Sequence, residues 1–313
     1  MESSPAFGFA CSRLVLGAAQ LGLDYGAVNK TGRPDLATAR AMIRALVDGG
    51  VTAIDTAAGY GASEEVIGSI LDADPSLRRN LLVVTKLDPL PAADSMPDEE
   101  LARAAVASID RSLEKLRLER LALVLFHRAA HLDLRGGLLR STLAGQVRLG
   151  KVGAVGVSVY SPAEAEAALA LDEIRALQVP ASVFDHRFLT GGLLDRAVAR
   201  GVTVFARSAY LQGVIVTPPR ALPERLMALK GPLTRFHAIC DQWGHSPAEV
   251  ALAFVRSFAQ IRGVVIGMER VEQVRENLAL FEAPPLAKSR VDEILRLFAA
   301  IPEQLINPSM WPA

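Results

Sequence analysis

What most constrains this chain is an alternation sustained almost from end to end. Short apolar runs at 14–16, 52–55, 81–86, 121–127, 152–158, 176–179, 202–208 and 263–266 are separated by stretches patterned for amphipathic helices. Several runs, 121–126 among them, are apolar at every position rather than at every second one. Such strands suit a parallel sheet whose faces are covered by helices. Between the first two runs, Asp35 is placed to cap a helix whose buried face is Met42, Ile43, Leu46 and Val47, and Gly49-Gly50 stop it. Ser63 reads as the cap of the next helix, with Glu64 and Glu65 in the first turn, where the helix dipole favours acids. Further helices are expected at 97–116, 137–149, 162–171 and 193–200. After the seventh strand come extra helical pieces at 223–229 and 234–243 and a helix at 247–258; helices at 271–280 and 287–299 follow the eighth.

Eight strand–helix units predict an α/β chain folded as a closed (β/α)₈ TIM barrel, with extra helices after strands seven and eight. The alternative, an open doubly wound sheet, would ordinarily carry a GxGxxG, Walker A or GxSxG motif, and none is present. With no low-complexity linker to divide it, the chain is expected to be a single barrel domain over 1–313. Lys+Arg and Asp+Glu both number 34, so the net charge is zero, and half of the residues are hydrophobic. That excludes a disordered chain and gives no general attraction to nucleic acid or to an anionic membrane. Cys11 and Cys240 make no disulfide framework, the first residues lack a secretory pattern, and no apolar run approaches the roughly 20 residues of a membrane span. The expectation is a cytoplasmic protein with no nucleic-acid or membrane partner; nothing in the sequence speaks to its oligomeric state.

Four chemically active residues fall at or just after consecutive strand ends: Asp55, Tyr60, Lys86 and His127. In a barrel those ends are neighbours on one rim, so the four side chains are expected to share a mouth. A phenol is a poor acid at its ordinary pKa of ~10, but a nearby ammonium favours the phenolate, and a carboxylate keeps that ammonium charged and oriented. The phenol then serves as a proton donor to an oxygen gaining negative charge, and the imidazole as a hydrogen-bond donor that polarises a carbonyl.

The segment Gly50-Val-Thr-Ala-Ile-Asp55-Thr-Ala-Ala-Gly-Tyr60-Gly-Ala-Ser-Glu64-Glu-Val-Ile-Gly68 resembles the signature of the aldo-keto reductases, and Thr85-Lys86 and Leu125-Phe-His127-Arg resemble that family's Lys and His segments. The resemblance runs from Gly17 to Asn277. It implies a nicotinamide cofactor, a small-molecule aldehyde, ketone or sugar as substrate, and an Asp–Tyr–Lys–His tetrad at Asp55, Tyr60, Lys86 and His127. It further implies that Ser158 and Gln178 hold the nicotinamide carboxamide. The family's Asn after that Ser is Val159 here. Arg207 stands where the family places an aromatic ring against the nicotinamide, and a planar guanidinium can also stack; an ordinary ion-paired rim residue is the other reading.

Residues 265–277 resemble the family's adenosine-phosphate site, which implies contacts from Gly267, Met268, Arg270, Gln273 and Asn277. NADP is the family's usual cofactor, held by basic side chains there. This chain has Glu269 in the loop and Gln273 where a basic residue is common, so NAD stays open. Residues 16–29 are similar to bacterial aldo-keto reductases of sugar metabolism, placing Gln20 and Tyr25 near a polar substrate. The rival from another class is a nicotinamide-binding regulatory or structural subunit with little turnover. His237, Cys240, Asp241 and His245 cluster in sequence but match no common zinc spacing, so no metal is expected.

Overall fold

The computed structural model describes residues 1–29 and 31–312. Two short strands, β1 (Ser3–Ala6) and β2 (Phe9–Ser12), form an antiparallel hairpin closed by Phe7 and Gly8, both at positive φ (52° and 86°). That two-residue turn matches the natural twist of paired strands. Eight parallel strands follow: β3 (Leu14–Gly17), β4 (Ala53–Asp55), β5 (Leu82–Lys86), β6 (Leu121–Phe126), β7 (Val152–Ser158), β8 (Ile174–Pro180), β9 (Thr203–Arg207) and β10 (Ile261–Gly267). They pair in chain order, and β10 closes on β3, which makes the expected (β/α)₈ barrel. β6 and β9 each end one residue before the expected limit. Ser208 leaves its strand because its φ is +64°.

Strand alternation decides which side chains point into the barrel. Val15, Ala53, Leu82, Val84, Leu123, Leu125, Ala176 and Phe205 form one compact apolar cluster inside it, separate from the larger layer between strands and helices. Asp55, Lys86, His127, Gln178 and Arg207 each follow one of these residues at an even spacing, so they project inward at the C-terminal rim. Alternation thus converts five separated positions into one cluster.

The hairpin was not foreseen in the sequence. Its Ala6 and Cys11 belong to the interior cluster, with Phe7 and Phe9 packed against it, so it plugs the barrel at the end opposite the rim. Reciprocal bonds fasten it there: Ser12 N donates to Thr52 Oγ1 at 3.0 Å, and Thr52 N to Ser12 Oγ at 2.9 Å.

Asp35 caps its helix as expected, accepting from Thr38 N. Ser63 does not cap. Ala62 holds that position, and the Ser63 hydroxyl donates to Ala18 O at 2.7 Å and lies 2.9 Å from Thr56 Oγ1, joining this helix to the ends of β3 and β4. The extra pieces after β9 are 3₁₀ turns, including Glu224–Leu229, and the helices Lys230–Trp243 and Pro247–Arg256. Those after β10 are Val271–Glu282, Lys288–Leu297 and Glu303–Ile306. Among the described residues, no helix is long and apolar enough to cross a membrane.

Candidate active site

At the rim, Lys86 Nζ donates to Asp55 Oδ2 at 2.6 Å and to Thr56 O at 2.9 Å. Both side chains are almost fully buried, at 1% and 5% exposure, so the pair is shielded from bulk water. Burial alone would lower the Lys86 pKa; the Asp55 charge and the Tyr60 phenol outweigh it and hold the ammonium above its usual range. Lys86 Nζ lies 4.9 Å from the centre of the Tyr60 ring. The His127 ring meets the Tyr60 ring edge-on, 5.7 Å between centroids and 87° between planes. Burial, then the charges of Lys86, Arg207 and Arg128, push the His127 pKa down to about 3, so the imidazole is neutral. Its Nδ1 is buried with no hydrogen-bond partner among the described residues.

The other oxygen of Asp55 is also engaged: Gln178 Nε2 donates to Oδ1 at 2.7 Å from across the barrel. An ionised carboxylate only accepts, so this bond turns the Gln178 NH₂ toward Asp55 and leaves its Oε1 as a spare acceptor. Ser158 pairs with Gln178 in register on the neighbouring strand.

The loop that carries Tyr60 depends on a close approach. Gly22 ends a single helical turn, Ala19–Gly22, and a Cβ there would fall 1.8 Å from Tyr60 O and 2.4 Å from Ser63 N. Gly61 answers from the other side at φ +55°. Behind the rim, Glu64 is buried, and its Oε1 accepts from Thr85 Oγ1, beside Lys86, at 2.6 Å; burial raises this carboxyl's pKa against that bond. The sequence marked Glu64 only as a first-turn acid.

A cleft of ≈ 520 Å³ begins at Asp55, Tyr60 and Gln178 and runs past Gly17 and Gly267 to Glu269, Arg270, Gln273 and Asn277. Gly17 and Gly267 face each other in register on β3 and β10, and a Cβ at Gly267 would strike the Gln20 amide at 2.3 Å. Gln20 therefore lies against the tip of β10, beside the cleft's long axis. Tyr25 also lines the cleft, and its hydroxyl accepts from Gln212 Nε2 at 3.3 Å. Arg207 does stack, but on Tyr160: Cζ sits 4.4 Å from that ring's centre while Nη2 donates to Val159 O at 3.1 Å. Met268 is only 1% exposed and belongs to the outer core, so its side chain is turned away from the cleft and only its backbone is free to serve there.

Further along, Tyr210 donates to Asn277 Oδ1 at 3.0 Å, and Asn277 Nδ2 to Gln273 O at 2.7 Å. Tyr210 and Gln212 were not singled out in the sequence, because they lie in the irregular stretch after β9. His237 bonds Ile215 O at 2.9 Å, and no group of three or more His, Cys, Asp or Glu among the described residues could hold a metal.

An elongated cleft with a buried Lys–Asp pair, a phenol and a neutral imidazole at one end, on the C-terminal rim of a parallel eight-stranded barrel, defines a class of barrel oxidoreductases. Residues 13–298 match the aldo/keto reductase family model, and the chain belongs to that family. It is 28% identical to the L-glyceraldehyde 3-phosphate reductase of Escherichia coli K12, covering 85% of this chain and 84% of that protein. It is 27% identical to the L-galactose dehydrogenase of Arabidopsis thaliana, covering 98% and 95%. Its similarity to the 6-dehydroglucose reductase of Novosphingobium aromaticivorans is 26%, over 86% and 88%. In fold it is similar to an aldo-keto reductase from Bacillus halodurans solved in the holo form, with a TM-score of 0.75 at 20% identity, covering 98% of this chain and all of that one. Family membership makes this an oxidoreductase of carbonyl compounds that uses NAD(P)H.

The cleft suits a dinucleotide. Gly17 and Gly267 line it midway, Gln178 offers an acceptor for a carboxamide NH₂, and its walls are mixed polar and apolar along its length.

Proposed function

We propose that the chain reduces the carbonyl of a small hydroxylated aldehyde, ketone or sugar, and runs the reverse oxidation, with Tyr60 as the proton donor. The observation that carries this is the Lys86–Asp55 pair, 2.6 Å between its charged atoms, with Lys86 Nζ 4.9 Å from the centre of the Tyr60 ring. Bound NAD(P)H supplies the hydride. Lys86 stabilises the phenolate left when Tyr60 gives its proton to the carbonyl oxygen, and Asp55 keeps Lys86 charged and aimed. His127 is neutral, and a bare lone pair is cheaper to bury than an unpaired N–H. Its orphaned Nδ1 therefore supports the tautomer that carries the proton on Nε2, the nitrogen left to polarise the substrate oxygen.

Ser158 and Gln178 are assigned to the carboxamide, and Gly267, Arg270, Gln273 and Asn277 to the adenosine end, with Arg207 on Tyr160 walling the nicotinamide side. Gln20 and Tyr25 border the bound molecules. The names of the relatives, reductases or a dehydrogenase of glyceraldehyde phosphate, dehydroglucose and galactose, support a polyhydroxylated substrate. In this reading the whole chain, 1–313, works as one unit, and the buried, unpaired thiols of Cys11 and Cys240 suit a reducing compartment such as the cytoplasm.

The test is oxidation of NADH and NADPH by the purified protein over a panel of aldehydes, ketones and sugars. Turnover with hydroxylated carbonyls is expected. Tight nucleotide binding with no hydride transfer to any of them would favour a regulatory subunit instead.

A further inference from the structure

The far end of the cleft is built to meet a hydroxyl rather than a phosphate. This inference rests on the dinucleotide reading above. With the nicotinamide held at Tyr60 and Gln178, the rest of the molecule has one direction in which to run: between Gly17 and Gly267 to the turn before the helix Val271–Glu282. The adenosine ribose therefore falls beside Glu269, Arg270 and Gln273.

Backbone N–H groups at a helix start ordinarily suit an anion. Here two of them are already taken. Gln273 Oε1 accepts from Glu269 N at 2.8 Å and from Arg270 N at 3.2 Å. The other end of the same amide donates to Glu269 Oε1 at 3.3 Å, which holds that carboxylate on the cleft wall. A second carboxylate, Glu276, lines the same stretch. Arg270, the cation that also lines it, is outnumbered two to one. An anionic phosphate would thus meet like charge and find the Glu269 and Arg270 amides already engaged. A ribose hydroxyl would meet an acceptor, and an acidic side chain accepting from a ribose 2′-hydroxyl is a general means of selecting the unphosphorylated dinucleotide.

We propose that this chain takes NADH and NAD⁺ in preference to their 2′-phosphorylated forms, with Glu269, held by Gln273, accepting a hydrogen bond from the adenosine 2′-hydroxyl and repelling a phosphate in its place. Gln273 is the positioning residue: it fixes Glu269 and caps the amides in one contact.

The experiment is calorimetric titration of the purified protein with NADH and with NADPH, no carbonyl present, on the wild type and on Glu269→Gln and Gln273→Arg, each checked for an unchanged melting temperature. The wild type is expected to bind NADH at least tenfold more tightly. Glu269→Gln should weaken NADH severalfold and narrow the ratio; Gln273→Arg should free the amides, add a cation and raise NADPH affinity tenfold or more. Wild-type NADPH binding equal to or tighter than NADH would overturn the proposal, as would an unchanged ratio in Glu269→Gln. Binding of neither nucleotide would overturn the dinucleotide reading itself and this inference with it.

Discussion

Gln178 on β8 donates 2.7 Å to Asp55 on β4, linking residues 123 apart in the chain across the barrel mouth. Both oxygens of Asp55 are consequently engaged, Oδ2 by Lys86 and Oδ1 by Gln178. In the proposed mechanism the residue assigned to the carboxamide therefore also orients the carboxylate that aims the Lys86 ammonium. Gln178→Leu removes a hydrogen bond to a charged, buried group, a loss of about 1.5–3 kcal/mol. We expect kcat to fall about 10–100-fold on that account. Gln178→Glu would place a second carboxylate against Asp55 and should be worse. Steady-state kinetics alongside nucleotide affinity separates the two roles: a change in affinity alone, with kcat intact, would leave Gln178 a cofactor contact only.

Gly22 offers a test of how the Tyr60 loop is seated. A Cβ there has backbone, not flexible side chain, within 1.8 Å, so Gly22→Ala must push the loop outward. Every reacting group is retained, yet misplacement of the order of 1 Å can cost about 100-fold in rate. The expected result is a large drop in kcat with Tyr60, Lys86 and His127 chemically intact, measured by turnover and by the displacement of Tyr60 in a crystal structure of the variant.

His127 should leave a mark on stability against pH. Its pKa falls from the ordinary 6.5 to about 3 in the folded chain. Between those values the unfolded state binds the extra proton, so stability rises with pH there. The contribution is present above pH 6.5 and is lost as pH falls toward 3, with a limiting slope of about 1.4 kcal/mol per pH unit. His131 and His186 are also lowered, chiefly by burial, and contribute in the same sense. Comparing wild type with His127→Gln isolates one residue: from pH 7 to pH 5 the wild-type denaturant midpoint should fall further than the variant's, because the variant lacks this loss.

The barrel was legible because its signal is repeated: eight apolar runs, each followed by a helical pattern, leave few architectures. Asp55, Lys86 and His127 could be found because strand ends are local features, and a closed parallel sheet brings successive ends together. The N-terminal hairpin was hidden, since its four-residue strands carry Ser, Pro and Gly-flanked Phe rather than clean alternation. Contacts between distant strands were hidden for another reason. The Gln178–Asp55 bond, the Arg207 stack on Tyr160 and the Gln20 packing on Gly267 depend on barrel closure and side-chain reach, which no local pattern encodes. Ser63 misled because a serine before a helix reads as a cap, whereas a buried backbone carbonyl, Ala18 O, claims its hydroxyl.

The central claim is that Tyr60 gives the proton while Lys86 and Asp55 prepare it. Its most direct test is single-turnover reduction of one accepted carbonyl by wild type and Tyr60→Phe, with nucleotide affinity measured on the same samples. The phenyl ring keeps its packing against His127 and loses only the acid. We predict a rate about 10²–10⁴-fold slower with nucleotide affinity unchanged; a Tyr60→Phe rate within about threefold of wild type, well below the loss expected of a missing general acid, would contradict the account.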